Sequence, residues 1–539
     1  MGGSMKYVLA VDLGTSGPKT ALISIHGDVV ADAFAETPVI LLPGGGAEQD
    51  PEGWWKAIIS TAKQVLARRL VPADDIIAVS VTTQWSGTVP VDRDGRHLMN
   101  AVIWMDSRGA EPFKEKLTGF PKFEGYPLSK VITWLRLTGG APAMSGKDPI
   151  SHIVWIQKNC PDIYRNTYKF LEPKDYINMR LTGKFAATFD SILLHWVTDN
   201  RDPDRVVYSD KLIRMVGIDR DKLPDLIRAI DVLGPLKKEV ASELGLKAGT
   251  PVIGGTPDVQ SACVGSGAVR DYEGHVYIGT SSWITAHVPF KKTDIFHGMG
   301  SFPSPIPGRY LILTEQECAG KCLLWLRDNV LYHKDELLQQ EKAPDIFKVL
   351  DRIVSRIPAG ANNVIFTPWL YGERTPVEDR HIRSSLFNLS LENTREDIAR
   401  AVFEGVALNQ KWLLTYVEKF TKRPFAALNF IGGGANSDVW SQILADVMNI
   451  NIRQVQDPIF SNARGVAFLA ALSLGHITVE DISRCIKIKA EFQPNPDHRK
   501  IYDNLFLEYV NLYRSQKKAC ARINSTKAAG ACTPAPQFQ

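Results

Sequence analysis

Lys6-Tyr7-Val8-Leu9-Ala10-Val11-Asp12-Leu13-Gly14-Thr15-Ser16 is one of two stretches in which an apolar run opens into Gly-Thr-Ser; the other is His275-Val276-Tyr277-Ile278-Gly279-Thr280-Ser281. Each leads into a further β-like run, Lys19-Thr20-Ala21-Leu22-Ile23 and Trp283-Ile284-Thr285-Ala286-His287-Val288. Short β-branched runs joined across a glycine turn predict hairpins. A small-residue turn exposes consecutive backbone N–H groups, which with adjacent hydroxyls can cradle phosphate oxygens. One such turn is an ordinary hairpin. Two in the same strand context, half a chain apart, point to a duplicated domain gripping one polyphosphate from both sides.

Composition agrees with a duplicated globular protein. At 539 residues the chain exceeds a single core, so two domains are expected. Its 44% hydrophobic and 23% charged residues describe an ordinary globular protein. The net charge is only +4 and the basic residues are scattered, so nothing marks a nucleic-acid partner. Seven cysteines, an odd number, fit a reducing cytoplasm better than a disulfide framework. Cys318 and Cys322 have no second pair to complete a zinc site, and the eleven histidines include no HExxH pattern. No segment is long and apolar enough to span a bilayer, so a cytoplasmic location is expected.

Further landmarks order the chain. Asp50-Pro51 signals a helix start, and Trp54, Trp55, Ile58, Ala62, Val65 and Leu66 follow at helical spacing. Ile76 to Val81 predicts a buried strand ending in Thr82-Thr83-Gln84-Trp85-Ser86-Gly87, with Val89 to Asp92 continuing the sheet. Mainly helical sequence runs from about Pro127 to Leu244, and Pro251-Val252-Ile253-Gly254-Gly255 predicts another strand. The expected division is an N-terminal domain over 1–270 and a C-terminal domain over 271–516. Residues 517–539, rich in Ala, Pro, Thr and Lys, are expected to be a disordered tail.

Neither common phosphate fingerprint, G-x-x-x-x-G-K-[ST] or a helix-opening G-x-G-x-x-G, is present. Nucleotide binding therefore rests on another geometry. Asp12 ends the first apolar run just before its turn, where a carboxylate can hold Mg²⁺, a cation that needs only one or two carboxylates beside phosphate oxygens. Lys19, after the turn, could reach a terminal phosphate. Asp258, in Gly254-Gly255-Thr256-Pro257-Asp258, is either a helix cap or a general base at a cleft. Phosphoryl transfer to a hydroxyl needs such a base, neutralised phosphates and in-line positioning.

These residues carry a resemblance. From about Tyr7 to Tyr509 the chain resembles the FGGY family of carbohydrate kinases, most specifically in Gly432-Gly433-Gly434-Ala435-Asn436-Ser437-Asp438-Val439-Trp440-Ser441-Gln442, with support from Gln49-Asp50-Pro51-Glu52-Gly53-Trp54-Trp55, Trp104-Met105-Asp106-Ser107-Arg108 and Gly372-Glu373-Arg374-Thr375-Pro376. The resemblance implies an α/β fold of two ribonuclease-H-like domains of the actin and sugar-kinase type, with ATP and sugar meeting in the cleft between them. It implies Asp258 as catalytic base and Asp12 as the magnesium-linked carboxylate. Thr15, Ser16, Lys19, Gly279 and Thr280 would hold phosphates, and Gly433, Gly434, Ala435 and Asn436 would bound the adenosine. Gln84, Trp85, Ser86 and Trp55 are the sugar-side candidates.

The expected activity is ATP-dependent phosphorylation of a ketose or related polyol, closest in pattern to xylulose kinase. Ribulose, gluconate, glycerol and erythritol are alternative substrates. A non-catalytic nucleotide- or sugar-binding sensor is a reading from another class. The expected partner is a small sugar or polyol, with neither nucleic acid nor membrane and with a homodimer as the assembly to test. Two departures unsettle the identity of the sugar. Xylulose kinases usually carry Gln-Met-His-Gly where this chain has Gln84-Trp85-Ser86-Gly87, and an Asn usually follows the catalytic Asp where this chain has Val259.

Overall fold

The computed structural model describes residues 4–123, 125–331 and 346–525. Strands β1 (Tyr7–Gly14) and β2 (Gly17–Ser24) form the predicted hairpin, with Gly14 opposite Gly17 and Thr15-Ser16 as its turn. Strand β3 (Val29–Phe34) extends it, and helix α1 (Pro51–Ala67) follows. Asp50 caps α1 by accepting the N–H groups of Glu52 and Gly53, and Pro51 occupies the first helical position, where its missing N–H costs nothing. Strand β4 (Ile76–Thr83) lies parallel to β1. Beyond it come helix α2 (Pro173–Thr182), strands β5 (Val232–Pro235) and β6 (Pro251–Ile253), and helix α3 (Asp258–Gly265). The sheet order is β5-β6-β4-β1-β2-β3, with β6 parallel to β4.

Side chains alternate across β1. Leu9, Val11 and Leu13 share a core with Trp54, Ile58, Ala62 and Val65 of α1. Val8 and Ala10 occupy the opposite face, and period two puts Asp12 on that face at the C-terminal end of the strand.

Val89 to Val91 does not continue this sheet. It pairs antiparallel with Lys169–Leu171 instead. The chain leaves β4 through Ser86, held at φ 68°, and Gly87, whose N–H is bound by Glu172. That turn redirects the following run out of the sheet plane.

The second half repeats the plan. Strands β7 (Gly274–Ile278) and β8 (Ser282–Val288) form the second hairpin, followed by β9 (Thr293–Asp294), β10 (Met299–Pro303) and β11 (Tyr310–Leu313). Helix α4 (Arg395–Thr421), strand β12 (Ala427–Ile431), helix α5 (Asp438–Met448), strand β13 (Asn451–Val455), helix α6 (Ser461–Ser473), strand β14 (Ile488–Phe492) and helix α7 (Arg499–Ser525) complete it. The order is β9-β10-β11-β8-β7-β12-β13-β14, with β7 antiparallel to β8 but parallel to β12, and β12 parallel to β13. The duplicated ribonuclease-H-like α/β architecture is therefore present.

One helix crosses between the halves. Ala463, Val466, Ala467 and Ala470 of α6 cover the Val8, Ala10, Ala21, Ile23, Ala78 and Ile253 face of the N-terminal sheet. α6 also presses against α3 through two glycines. A Cβ on Gly265 would sit 1.8 Å from the Ser461 carbonyl oxygen, and one on Gly465 would sit 2.0 Å from that of Ser261. Only hydrogen fits at either position.

Residues 517–525, expected in a disordered tail, are helical. Helix α7 continues to Ser525 because it has surfaces to rest on: Tyr502, Leu505, Tyr509 and Leu512 are core residues, Cys520 packs beside them, and the Asn524 side chain donates to the His381 carbonyl at 3.0 Å. Residues 526–539 of the expected tail lie outside the described residues. Among the described residues, no helix is long and apolar enough to cross a membrane.

Candidate active site

Strands β1, β4 and β6 are mutually parallel, so the loops at their C-terminal ends, 14–17, 84–87 and 254–258, gather along one edge of the sheet. Ligand crevices in α/β sheets form outside such strand ends. Asp12 ends β1 there, 8% exposed, directly opposite Lys19 of β2. Burial pushes the Asp12 carboxyl up, against the pull of Lys19 and of Asn462, whose side-chain amide approaches Oδ1 at 3.5 Å. Lys19, expected at a terminal phosphate, donates to the Ile459 carbonyl at 3.0 Å and lies over the Phe460 ring.

The first phosphate-type turn is braced from below. Thr15 Oγ1 donates to Gln84 Oε1 at 3.2 Å and accepts from Trp104 Nε1 at 3.0 Å. Gln49 donates to the Thr15 carbonyl at 2.8 Å and accepts from Gln84 Nε2 at 2.7 Å. Gln84, expected at the sugar, is thus buried with both ends of its amide committed to this brace. Among the described residues the backbone N–H groups of Thr15 and Ser16 find no acceptor, and Ser16 is exposed. The turn offers amides rather than the Thr15 hydroxyl.

Asp258 opens α3. Its Oδ1 accepts the N–H of Val259 at 2.9 Å, so it does serve a local capping role. Burial first, and the Asp12 charge second, push its carboxyl up to about 7, with Glu315 of the second half adding to the rise. A carboxyl that titrates near neutrality beside another carboxylate has the character of a general acid–base group. The turn before it is tightly fixed: Gly255 has φ 69°, and a Cβ there would lie 2.1 Å from the Val81 carbonyl oxygen.

In the second half, the carbonyls of Gly279 and Thr280 accept the N–H groups of Gly320 and Ala319 at 2.8 and 3.0 Å, while the exposed Thr280 keeps its own N–H without an acceptor among the described residues. Beside this turn Gly432 adopts φ 87°. Gly433 is exposed, and a Cβ there would meet nothing within 4 Å. Gly434 is needed elsewhere, since a Cβ there would press on Ile278 at 2.8 Å. Ala435 is only 1% exposed, beneath the surface that Gly433 and Asn436 present, and its carbonyl binds Gln454.

Of the residues expected at the sugar, Trp85 donates its indole N–H to the Ser191 carbonyl at 3.0 Å and Ser86 Oγ donates to the Lys147 carbonyl at 2.8 Å. Trp55 packs into the N-terminal core with the Arg180 guanidinium 4.5 Å over its ring, so protein covers it on both sides. Arg108 is a scaffold residue, bonded to Glu48 and Asp106 and lying 4.0 Å over Trp155.

Sequence reasoning passed over Tyr277 and Trp283 except as strand residues. Their rings stack at 3.8 Å between the Gly279 and Gly432 turns, and the charges of Asp258 and Asp12 reach the Tyr277 hydroxyl. Opposed positions on β7 and β8 were the available signal. Among the described residues no group of three or more His, Cys, Asp or Glu could hold a metal. Asp12, buried with the Asp258 charge close by, is a carboxylate that could hold a phosphate-bound magnesium, which needs only one or two carboxylates.

Residues 7–265 match the model of the N-terminal domain of the FGGY family of carbohydrate kinases, and residues 275–474 match that of its C-terminal domain. The chain is 29% identical to the xylulose kinase of Bacillus subtilis (strain 168), over 97% of this chain and 99% of the relative. Among solved structures it is similar to gluconate kinase from Lactobacillus acidophilus (TM-score 0.83, 25% identity, covering 97% of this chain and 100% of the other) and to ligand-bound xylulose kinase from the same organism (TM-score 0.83, 25% identity, covering 96% and 100%).

Proposed function

The chain belongs to the FGGY family of carbohydrate kinases, and on that premise we propose that it transfers the γ-phosphoryl group of ATP to a hydroxyl of a ketose or related polyol, with Asp258 as the general base. That it is an ATP-using phosphotransferase of small carbohydrates follows from the family. The choice of a ketose follows from its likeness to xylulose kinases, and the base from the site.

The observation that carries the base is the placing of Asp258 and Asp12 along one edge of the sheet, at the ends of β6 and β1 on either side of β4, where burial and the second charge hold the Asp258 carboxyl near 7. A base with that affinity accepts a proton from an attacking hydroxyl more readily than an ordinary aspartate does. The sugar oxygen forms a bond to the γ-phosphorus as the bond to the departing ADP oxygen breaks, and the hydroxyl proton passes to Asp258. The N–H groups of Thr15 and Ser16 in one half and of Thr280 in the other would face the spreading phosphate charge. Magnesium, arriving with the nucleotide, would be held through Asp12 and would supply charge neutralisation at the phosphates. Closure of the halves would exclude water, favouring the sugar over hydrolysis.

The test is ADP release over a panel of xylulose, ribulose, gluconate, glycerol and erythritol, with the phosphorylated product quantified. A sugar that stimulates ADP release mole for mole with product supports the proposal. Nucleotide and sugar binding without product across the panel would replace it with a sensor.

A further inference from the structure

Helix α2 begins beneath both loops of the sugar side and holds each with a buried polar side chain. Glu172, the residue before its first turn, accepts the Gly87 N–H on Oε2 at 2.9 Å, immediately after Trp85 and Ser86. Lys174 and Asn178, one helical turn apart and so on one face, both donate to the Gly254 carbonyl, at 3.0 and 2.8 Å. Gly254 begins the turn that ends in Asp258. Lys174 also forms an ion pair with Asp175, the two side chains being 1% and 0% exposed, and Asp175 accepts the Ser191 hydroxyl at 2.9 Å.

Burying such an ion pair is costly, and apolar residues of similar volume often stabilise a fold as well or better. Its use here is directional. With two charged-side donors and acceptors fixed on one rigid helix start, the sugar-side loop and the base turn are located relative to a common frame. A displacement of about 1 Å at a reacting group costs on the order of a hundredfold in rate, so such a frame has a kinetic consequence.

We propose that Glu172 and Lys174 are positioning residues: Glu172 sets the loop 85–87 and Lys174 sets the turn 254–257, so that α2 registers the sugar against Asp258. The kinetic part of this rests on Asp258 being the base; the structural part does not. Neither residue touches the reacting atoms in this assignment.

The experiment is hydrogen–deuterium exchange by mass spectrometry on the full chain, paired with steady-state kinetics on the most active sugar of the panel. Lys174→Met is combined with Asp175→Asn so that neither charge is left buried alone and Ser191 keeps an acceptor. Glu172→Met removes the acceptor for Gly87, and Glu172→Gln retains one. In Lys174→Met/Asp175→Asn, exchange across 254–259 rises about tenfold while that across 85–88 stays within about twofold; Glu172→Met gives the reverse, and Glu172→Gln restores protection. The kinetic counterpart is a kcat loss of roughly 10–100-fold at nearly constant sugar KM for the first variant, against a sugar KM raised about tenfold for the second, with ATP affinity held in both.

General loosening in which both segments speed equally in both variants overturns the proposal, as does no change in either. If the double variant does not fold, Glu172→Met with its Gln rescue still decides: selective exchange at 85–88 that Gln reverses supports it, and unchanged or unselective exchange overturns it. If no sugar is turned over by the parent enzyme, it is the kinase reading that fails, and the exchange result still stands on its own.

Discussion

At the scale of single residues, Asp258 makes two predictions of different kinds. Asp258→Asn keeps the size of the side chain and its Val259 contact but removes basicity, so turnover should fall roughly 10²–10⁴-fold while ATP affinity is held. The same substitution has a stability consequence. The Asp258 carboxyl titrates near 7 in the fold against an ordinary 3.8, so the folded state holds its proton more tightly than the unfolded chain. Such a group is harmless below pH 3.8 and destabilises progressively as pH rises toward 7, where the folded form must ionise in a buried place beside Asp12. Asp258→Asn should therefore raise the melting temperature at pH 8, with the gain shrinking toward pH 4; a gain equal at both pH values would contradict the assigned environment. Asp12→Ala should weaken the magnesium dependence of transfer far more than sugar affinity, measured by magnesium titration of the initial rate. These two carboxylates were legible in the sequence because each sits at a small-residue turn after an apolar run. Gln49, Tyr277 and Glu315 were not, because each meets the site only through the tertiary fold.

At the scale of elements, glycines separate structure from binding. Gly465 of α6 and Gly265 of α3 bring two helix backbones together where no Cβ fits, and α3 begins with Asp258. Gly465→Ala should lower both stability and kcat, read by thermal melting and by turnover per ATP site. Gly433 offers the contrasting case, since a Cβ there meets nothing. Gly433→Ala should leave the melting temperature unchanged and raise the KM for ATP, if its exposed backbone bounds the adenosine; an unchanged KM would move the nucleotide elsewhere. Local sequence foretold the hairpins, α1, β4 and β6 well, because apolar period, caps and glycines agree there. It failed at Val89–Val91, where the buried Glu172 just before α2 binds the Gly87 N–H at the turn out of the sheet, and at residues 517–525, where α7 finds a core to lie on that composition does not reveal.

At the scale of the whole molecule, the two halves are a duplication that is not separable. The Gly-Thr-Ser repeat announced the duplication, but nothing in local sequence shows that α6, which lies in the second half of the chain, covers an apolar face of the first-half sheet. A fragment of residues 1–270 would expose Val8, Ala10, Ala21, Ile23, Ala78 and Ile253, and should fail to give a cooperative thermal transition or native near-ultraviolet circular dichroism. A cooperatively folded fragment would contradict that packing. The same crossing joins α3, and with it Asp258, to the element whose first turn brings Asn462 toward Asp12. In the proposed reaction this acid pair moves the proton of a sugar hydroxyl, with Asp258 as the acceptor. The most direct measurement is the rate of phosphorylated-sugar formation by the parent enzyme and Asp258→Asn, each normalised to titrated ATP sites. Sugar-dependent product from the parent and a loss of roughly 10²–10⁴-fold in the variant at unchanged site number are expected; product formation by the variant within a few-fold of the parent would contradict that role for Asp258.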